Sequence, residues 1–164
     1  MDYNVRKAKH SDIPQIESLI NESVWGLASS DYTNEQIQDA LAAAWGVDSQ
    51  LIEDQTYFVI ECEEKLIGCG GWSYRETLFG NDNVENRSKT LLYPEKDAAK
   101  IRAFFVLPSY ARKGLGSVLM NACENEARAK GFSRFSLMAT LPGQRLYARH
   151  GFVSGEGIEY SLGD

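Results

Sequence analysis

Phe105-Val106-Leu107-Pro108-Ser109-Tyr110-Ala111-Arg112-Lys113-Gly114-Leu115-Gly116-Ser117 is the stretch that decides how this chain folds. Just upstream, Lys100-Ile101-Arg102-Ala103-Phe104-Phe105-Val106 reads as a buried strand. Downstream, Leu115, Leu119, Ala122, Cys123 and Ala127 recur at helical spacing, which predicts a helix from about Gly116 to Lys130 that Gly131 stops. A Gly-rich turn therefore joins a strand to an amphipathic helix. A helix N-terminus exposes unpaired N–H groups and the positive end of the helix dipole, so it attracts phosphate. Glycines let the main chain approach an anion closely, and Arg112 and Lys113 add positive charge beside the turn. The plain alternative is a strand-to-helix connection that binds nothing. Two other phosphate motifs do not fit. A Walker A loop ends in Gly-Lys-Ser/Thr, whereas Lys113 precedes the first glycine here, and a dinucleotide fingerprint needs a third glycine where Ser117, Val118 and Leu119 follow.

The remaining elements arrange around this unit. Asn4 to Ala8 reads as a short strand. Asp12, Pro14 and Gln15 predict a helix start, followed by Ile13, Ile16, Leu19 and Ile20 on one face. Thr33, with Gln36 three residues on, starts a second helix striped by Ile37, Ala40, Leu41, Ala44 and Trp45. Residues 56–62 and 66–72 form a hairpin around Glu63-Glu64-Lys65, and the glycines of its second strand point to a bulge or a close backbone approach. Residues 75–97 read as an irregular insertion. Arg134 to Thr140 is a further strand, Pro142 opens a short helix through Tyr147 that ends by Gly151, and Phe152 to Leu162 supplies a last strand or hairpin. The order β-α-α-β-β-β-α-β-α-β predicts a mixed α/β sheet.

Bulk properties narrow the function. The 164 residues have the size of one domain, and 43% hydrophobic content suffices for a core. No apolar run is long enough to span a membrane, and the polar start Met1 to Lys7 lacks the apolar core of a secretion signal, so the expected compartment is the cytoplasm. Cys62, Cys69 and Cys123 lack disulfide or zinc spacing and read as small hydrophobes; His10 and His150 have no neighbour at ligand spacing, so no metal is expected. A net charge of −6 disfavours sequence-independent nucleic-acid binding and mildly favours a cationic substrate such as an amine.

The Gly-rich segment resembles the acetyl-CoA-binding motif of the GNAT superfamily of N-acetyltransferases. Val106-Leu107-Pro108 matches its lead-in, and Gly114 and Gly116 match its glycines; the position usually held by Gln or Arg is Ala111, with Arg112 one residue later. Leu146-Tyr147-Ala148-Arg149-His150-Gly151-Phe152 resembles a second family segment, and Thr140 stands where an asparagine often precedes that tyrosine. The resemblance covers about Lys100 to Phe152 and implies one N-acetyltransferase domain over residues 1–164, with a mixed, mostly antiparallel central sheet and flanking helices.

The resemblance also implies a mechanism. The strand matching Ile101 to Val106 would splay from the strand matching Arg134 to Thr140, and the pantetheine arm of acetyl-CoA would lie in the gap against the main chain of Phe105 and Val106. Arg112, Lys113, Gly114, Leu115, Gly116 and Ser117 would hold the pyrophosphate, with Thr140 a further contact. An amine would attack the thioester directly, and Tyr147 stands where the family places its general acid. Glu61, Glu22 and a path through water alone remain open as the base; Arg75 and Arg102 are candidates for a substrate carboxylate, and Trp25, Tyr32, Trp72 and Tyr74 flank the expected acceptor side. The expected partner is a small-molecule or peptide amine, with a homodimer allowed and neither nucleic acid nor membrane involved. A CoA-binding module without turnover, or an interaction domain acting through residues 75–97, are the rival readings.

Overall fold

The computed structural model describes residues 2–43, 45–77, 81–82, 89–138, 144–154 and 159–162. Strands β1 (Asn4–Lys7), β2 (Tyr57–Cys62), β3 (Lys65–Ser73), β4 (Ala99–Val106), β5 (Phe135–Met138), β6 (Val153–Ser154) and β7 (Glu159–Leu162) form one seven-stranded sheet. Its order is β1-β2-β3-β4-β5-β7-β6. The β4–β5 pair is parallel and every other pair is antiparallel, so the sheet is mixed and mostly antiparallel, as the sequence led us to expect. Helices α1 (Ile13–Leu27), α2 (Asn34–Ala43), α3 (Ser49–Glu53), α4 (Leu115–Ala129) and α5 (Gln144–Arg149) flank it.

Side-chain alternation along β3 assigns the two faces. Gly68 looks toward Ile60 and Leu119 of α4, and Trp72 Nε1 donates to Glu126 of α4 at 2.9 Å. Leu115, Leu119, Met120, Cys123 and Ala127 bury the predicted face of α4 against this side. Gly71 looks the other way, onto Tyr57, and Arg102, its partner in register, reaches Asp48 at the start of α3. Helix α1 packs on β3 and β4 through Ile16, Leu19, Ile20 and Val24. Among the described residues, no helix is long and apolar enough to cross a membrane.

The helix starts show where sequence reading succeeded and where it failed. Thr33 and Gln36 form the expected reciprocal cap: Gln36 N–H donates to Thr33 Oγ1 at 3.1 Å and Thr33 N–H donates to Gln36 Oε1 at 2.8 Å. That helix ends at Ala43, so Trp45 lies beyond it, edge-on to Tyr32 with ring centroids 5.2 Å apart. Asp12 precedes α1 but does not cap it. A 3-10 turn over His10–Asp12 comes first, and the Asp12 carboxylate instead takes a bidentate bond from Arg6 at 2.8 and 2.9 Å and the Lys9 N–H at 2.8 Å. The Arg6 guanidinium holds the Asp12 carboxyl below the usual carboxylate range. Helix α3 was missed; it is one short turn whose start Asp48 caps by accepting from Gln50 N–H at 3.0 Å. Cys69 and Cys123 behave as the small hydrophobes they read as, since burial pushes the Cys69 thiol up to about 12 and raises that of Cys123 well above its ordinary value.

The feature that shapes the sheet centre is a bulge in β4. Cys69 pairs with Phe105 and Gly71 with Arg102, so Gly70 alone faces both Ala103 and Phe104. Ala103 adopts a left-handed φ of 54°, and its C=O accepts from the buried Tyr57 hydroxyl at 2.7 Å. A Cβ on Gly70 would lie 2.5 Å from the Phe104 ring, so the bare glycine is what admits that ring. Just before the bulge, the Arg102–Asp48 ion pair is buried at 2.9 Å, which fixes the strand from the opposite face. Tyr57→Phe removes the donor to Ala103 C=O, and we expect a stability loss of about 1 kcal/mol in denaturant unfolding with an unchanged m-value.

Candidate active site

Strands β4 and β5 pair at Ala99↔Phe135 and Lys100↔Ser136, and among the described residues the ladder ends there. Leu137 and Met138 continue β5 but pair with Tyr160 and Glu159 of β7 on its other side. Among the described residues, which follow β5 as far as Met138, no β4–β5 ladder continues from Ile101 onward. Leu107 N–H donates to Ile67 C=O at 3.0 Å. The alternation of an antiparallel ladder then turns the main-chain groups of Phe105 toward Cys69 and those of Val106 to the open side. The same alternation, two residues back from Val106, turns the Phe104 main chain to that side as well. Of the two residues read from sequence as main-chain contacts, Val106 faces the gap and Phe105 faces β3.

The turn after β4 delivers the chain to the N-terminus of α4. Pro108–Tyr110 form a 3-10 turn seated on α1, where Gly26 leaves room for the Pro108 ring. Arg112 has a left-handed φ of 61° and Gly114 one of 83°. A Cβ at Gly114 would meet nothing within 4 Å, so the glycine serves the backbone turn and not a tight contact. The first helical bond of α4 is Val118 N–H to Gly114 C=O at 3.1 Å, which leaves the amides of Leu115, Gly116 and Ser117 pointing out of the helix end. No side chain caps this end and no acidic residue lies in its first turn. Arg112 and Lys113 are exposed beside it, with the Lys113 ammonium 5.5 Å from the Tyr110 ring. These amides, in a field of positive charge, form a cradle suited to a phosphate.

Gly116 has a different role from Gly114. A Cβ there would lie 2.7 Å from Leu146 Cδ2, so Gly116 admits helix α5 against α4. That contact brings Tyr147 into the site. Its ring packs edge-on against Phe104 of the bulge at 6.5 Å and against Phe152 at 6.1 Å. The ring is buried, yet among the described residues no hydrogen bond to its hydroxyl is recorded. Burial, with a smaller contribution from Cys123, holds the phenol above its ordinary pKa. Cradle, open strand and phenol thus converge on the Ala103–Phe104 bulge.

The family model described as Acetyltransferase (GNAT) family matches residues 18–152. The chain belongs to that family. As a GNAT protein it is an acyltransferase, and its fold is shared by solved members of low sequence identity. A GCN5-related N-acetyltransferase from Rhodopseudomonas palustris superposes with a TM-score of 0.73 at 16% identity, covering 100% of this chain and 97% of that one. PaiA N-acetyltransferase from Thermoplasma acidophilum, solved with coenzyme A, gives 0.68 at 16% identity, covering 98% and 97%. A GNAT family acetyltransferase from Brucella melitensis, solved with acetyl-CoA, gives 0.62 at 17% identity, covering 99% and 88%. Comparison with curated protein sequences finds no match.

The structure brings Val106, Arg112, Lys113, Gly114, Leu115, Gly116, Ser117 and Tyr147 of this GNAT chain into one region, while Thr140 lies outside the described residues. Other sequence candidates are engaged elsewhere. Arg75 makes a bidentate pair with Asp54 at 2.7 and 2.9 Å, and Arg102 is held by Asp48, so both guanidinia already have carboxylate partners within the protein. Glu61 pairs with Arg6 at 3.4 Å near the sheet edge, and Glu22 is exposed on α1. Trp72 is fully buried on α4 and is a core residue. Sequence reading missed His150 and Glu124, although Ser117 and Glu124, seven apart, fall on one helical face. His150 Nε2 lies 3.1 Å from Ser117 Oγ, and Nδ1 lies 3.8 Å from Glu124 Oε1. Gly116→Ala should cost about 1 kcal/mol of stability through the Leu146 contact, and Gly116→Ala with Leu146→Ala should cost less than the two single losses added, as thermal unfolding of all three variants will show.

Proposed function

We propose that residues 1–164 work as one transferase domain that moves an acetyl group from acetyl-CoA to a primary amine by direct attack. The observation that carries this reading is the parting of β4 from β5 beyond Lys100 and Ser136, which opens strand main chain between the α4 cradle and Tyr147. The amides of Leu115, Gly116 and Ser117 suit the pyrophosphate, with Arg112 and Lys113 adding charge. The pantetheine arm would pair along the open main chain of Phe104 and Val106, and an N–H there would stabilise the oxyanion of the tetrahedral intermediate. The relatives from Thermoplasma acidophilum and Brucella melitensis, solved with coenzyme A and acetyl-CoA, support the same donor.

In the step itself, the neutral amine nitrogen bonds to the thioester carbonyl carbon and the C–S bond breaks. The thiolate takes the Tyr147 proton, the proton lost from nitrogen passes to water, and water returns a proton to Tyr147. A free lysine-like amine has a pKa of about 10.4, so its deprotonation precedes attack. The α1–α2 layer carries one sign of charge. No lysine or arginine occurs between Lys9 and Lys65, while Glu17, Glu22, Asp31, Glu35 and Asp39 lie on α1, α2 and their connection. That balance favours a cationic amine over an acidic one. The 75–97 segment borders this layer: Asn81 Nδ2 donates to Leu41 C=O at 3.0 Å, and Asp82 accepts from Ser49 N–H at 2.9 Å. These contacts of Asn81 and Asp82 support a role for the segment in acceptor choice.

Incubation with acetyl-CoA and a panel of primary amines and lysine-containing peptides tests the reading. Thiol release together with the mass gain of one acetyl group on an amine is the expected result. Coenzyme A binding without any acetylated product would leave a CoA-binding module of the same fold.

Two expectations concern Tyr147. Tyr147→Phe should lower turnover about 10²-fold while the acetyl-CoA dissociation constant stays within about twofold, because the ring still packs. A raised pKa keeps the acid form present as the pH climbs. The parent's kcat/KM should therefore rise as the acceptor amine deprotonates and show no alkaline fall below about pH 10.

A further inference from the structure

Ser117, His150 and Glu124 form a contiguous polar chain behind the cradle that the acetyl-transfer steps above do not use. Ser117 sits in the first turn of α4 and Glu124 two turns later, while His150 follows the last residue of α5, with its N–H bonded to Tyr147 C=O at 3.1 Å. The imidazole bridges the two: Nε2 is 3.1 Å from Ser117 Oγ and Nδ1 is 3.8 Å from Glu124 Oε1. The histidine and glutamate side chains are 16% and 19% exposed. Glu124 Oε1 is buried and has no hydrogen-bond partner among the described residues. Among the described residues, Glu124 is the charged group within ion-pair reach of the ring. On α5 itself Arg149 is exposed, the Tyr147 phenol is held neutral, and Arg112 and Lys113 stand exposed on the turn ahead of α4.

The direction of the Ser117 hydroxyl depends on the charge of this ring. In a neutral imidazole with its proton on Nδ1, Nε2 is an acceptor, so the Ser117 proton points inward and the oxygen lone pairs face the cradle. An arriving phosphate meets those lone pairs. In the imidazolium both nitrogens donate: Nδ1–H faces the unpartnered Glu124 oxygen, and Nε2–H donates to Ser117 Oγ. The Ser117 proton is then free to donate to a phosphate oxygen, and a positive charge lies one residue behind the anion.

We propose that the Ser117–His150–Glu124 chain couples coenzyme A binding to proton uptake from solvent, which favours the charged form of His150 and turns the Ser117 hydroxyl toward the bound pyrophosphate. The inference rests on the reading in which Leu115, Gly116 and Ser117 hold that group. His150 is here a positioning residue, acting on the ligand through Ser117. Linkage fixes the sign: a ligand that binds the protonated form more tightly gains affinity as the pH falls, and proton uptake accompanies its binding.

The test is calorimetric titration of the whole chain with dephospho-coenzyme A, which carries the pyrophosphate but no terminal phosphomonoester that would itself titrate in the range. Titrations from about pH 6 to about pH 8, where imidazoles change charge, are run in two buffers of different ionisation enthalpy. The parent should bind about three- to tenfold more tightly at the acid end and take up a fraction of a proton. His150→Gln and Ser117→Ala should both still bind, through the amides, with the pH dependence and proton uptake flattened. Ser117→Ala keeps the His150–Glu124 pair and the α4–α5 packing, so its result does not depend on whether His150→Gln disturbs the fold. Parent binding without pH dependence or proton uptake, or the parent's slope retained in both variants, overturns the proposal. Absence of parent binding at every pH overturns the cofactor reading and the proton coupling with it.

Discussion

The site depends on one mismatch in register. Where β3 offers Gly70, β4 offers both Ala103 and Phe104, and the extra residue sets the Phe104 ring beside Tyr147. The bulge is held from three directions: the Tyr57 hydroxyl on Ala103 C=O, the buried Asp48 carboxylate on Arg102, and the Phe104 ring in the space that Gly70 leaves. The left-handed φ at Ala103 is an unfavourable conformation for a residue with a Cβ, and it persists because these neighbours over-determine it.

The same bulge organises what lies around it. Phe104 is the residue that Tyr147 packs against, so the strand irregularity and the candidate acid share one contact. Tyr147 is carried by α5, and α5 reaches α4 because Gly116 has no side chain to oppose Leu146. The glycine pair in the turn therefore divides two tasks. Gly114 makes the left-handed entry into α4, and Gly116 lets the neighbouring helix in. The helix end, strand main chain and phenol are placed by backbone geometry more than by charged side chains.

The sequence made some of this legible and hid the rest for physical reasons. The Gly-rich turn, the amphipathic α4 and the Thr33–Gln36 cap are local signals, readable within a turn or two of chain, and the structure has them all. The bulge is not local. The glycines at 68, 70 and 71 hinted at a close approach, but which residue of β4 is doubled depends on pairing across some thirty positions of intervening chain. Asp12 looked like a cap because cap and ion-pair partner use the same residue type, and Arg6 on the adjacent strand decided between them. Helix α3 is too short to show a period. Gly116 has a further use, admitting Leu146, that sequence could not show because that neighbour comes from a different helix. His150 escaped notice for the same reason: its partners, Ser117 and Glu124, lie on α4.

The central claim is that coenzyme A lies along the open main chain of β4. Amide hydrogen exchange followed residue by residue, with and without saturating acetyl-CoA, tests it most directly. Slower exchange at Val106 and at Leu115 to Ser117, with the amides of β1 and β2 unaffected, is the predicted result. Tight binding that leaves Val106 and the α4 amides exchanging as in the free protein would contradict it.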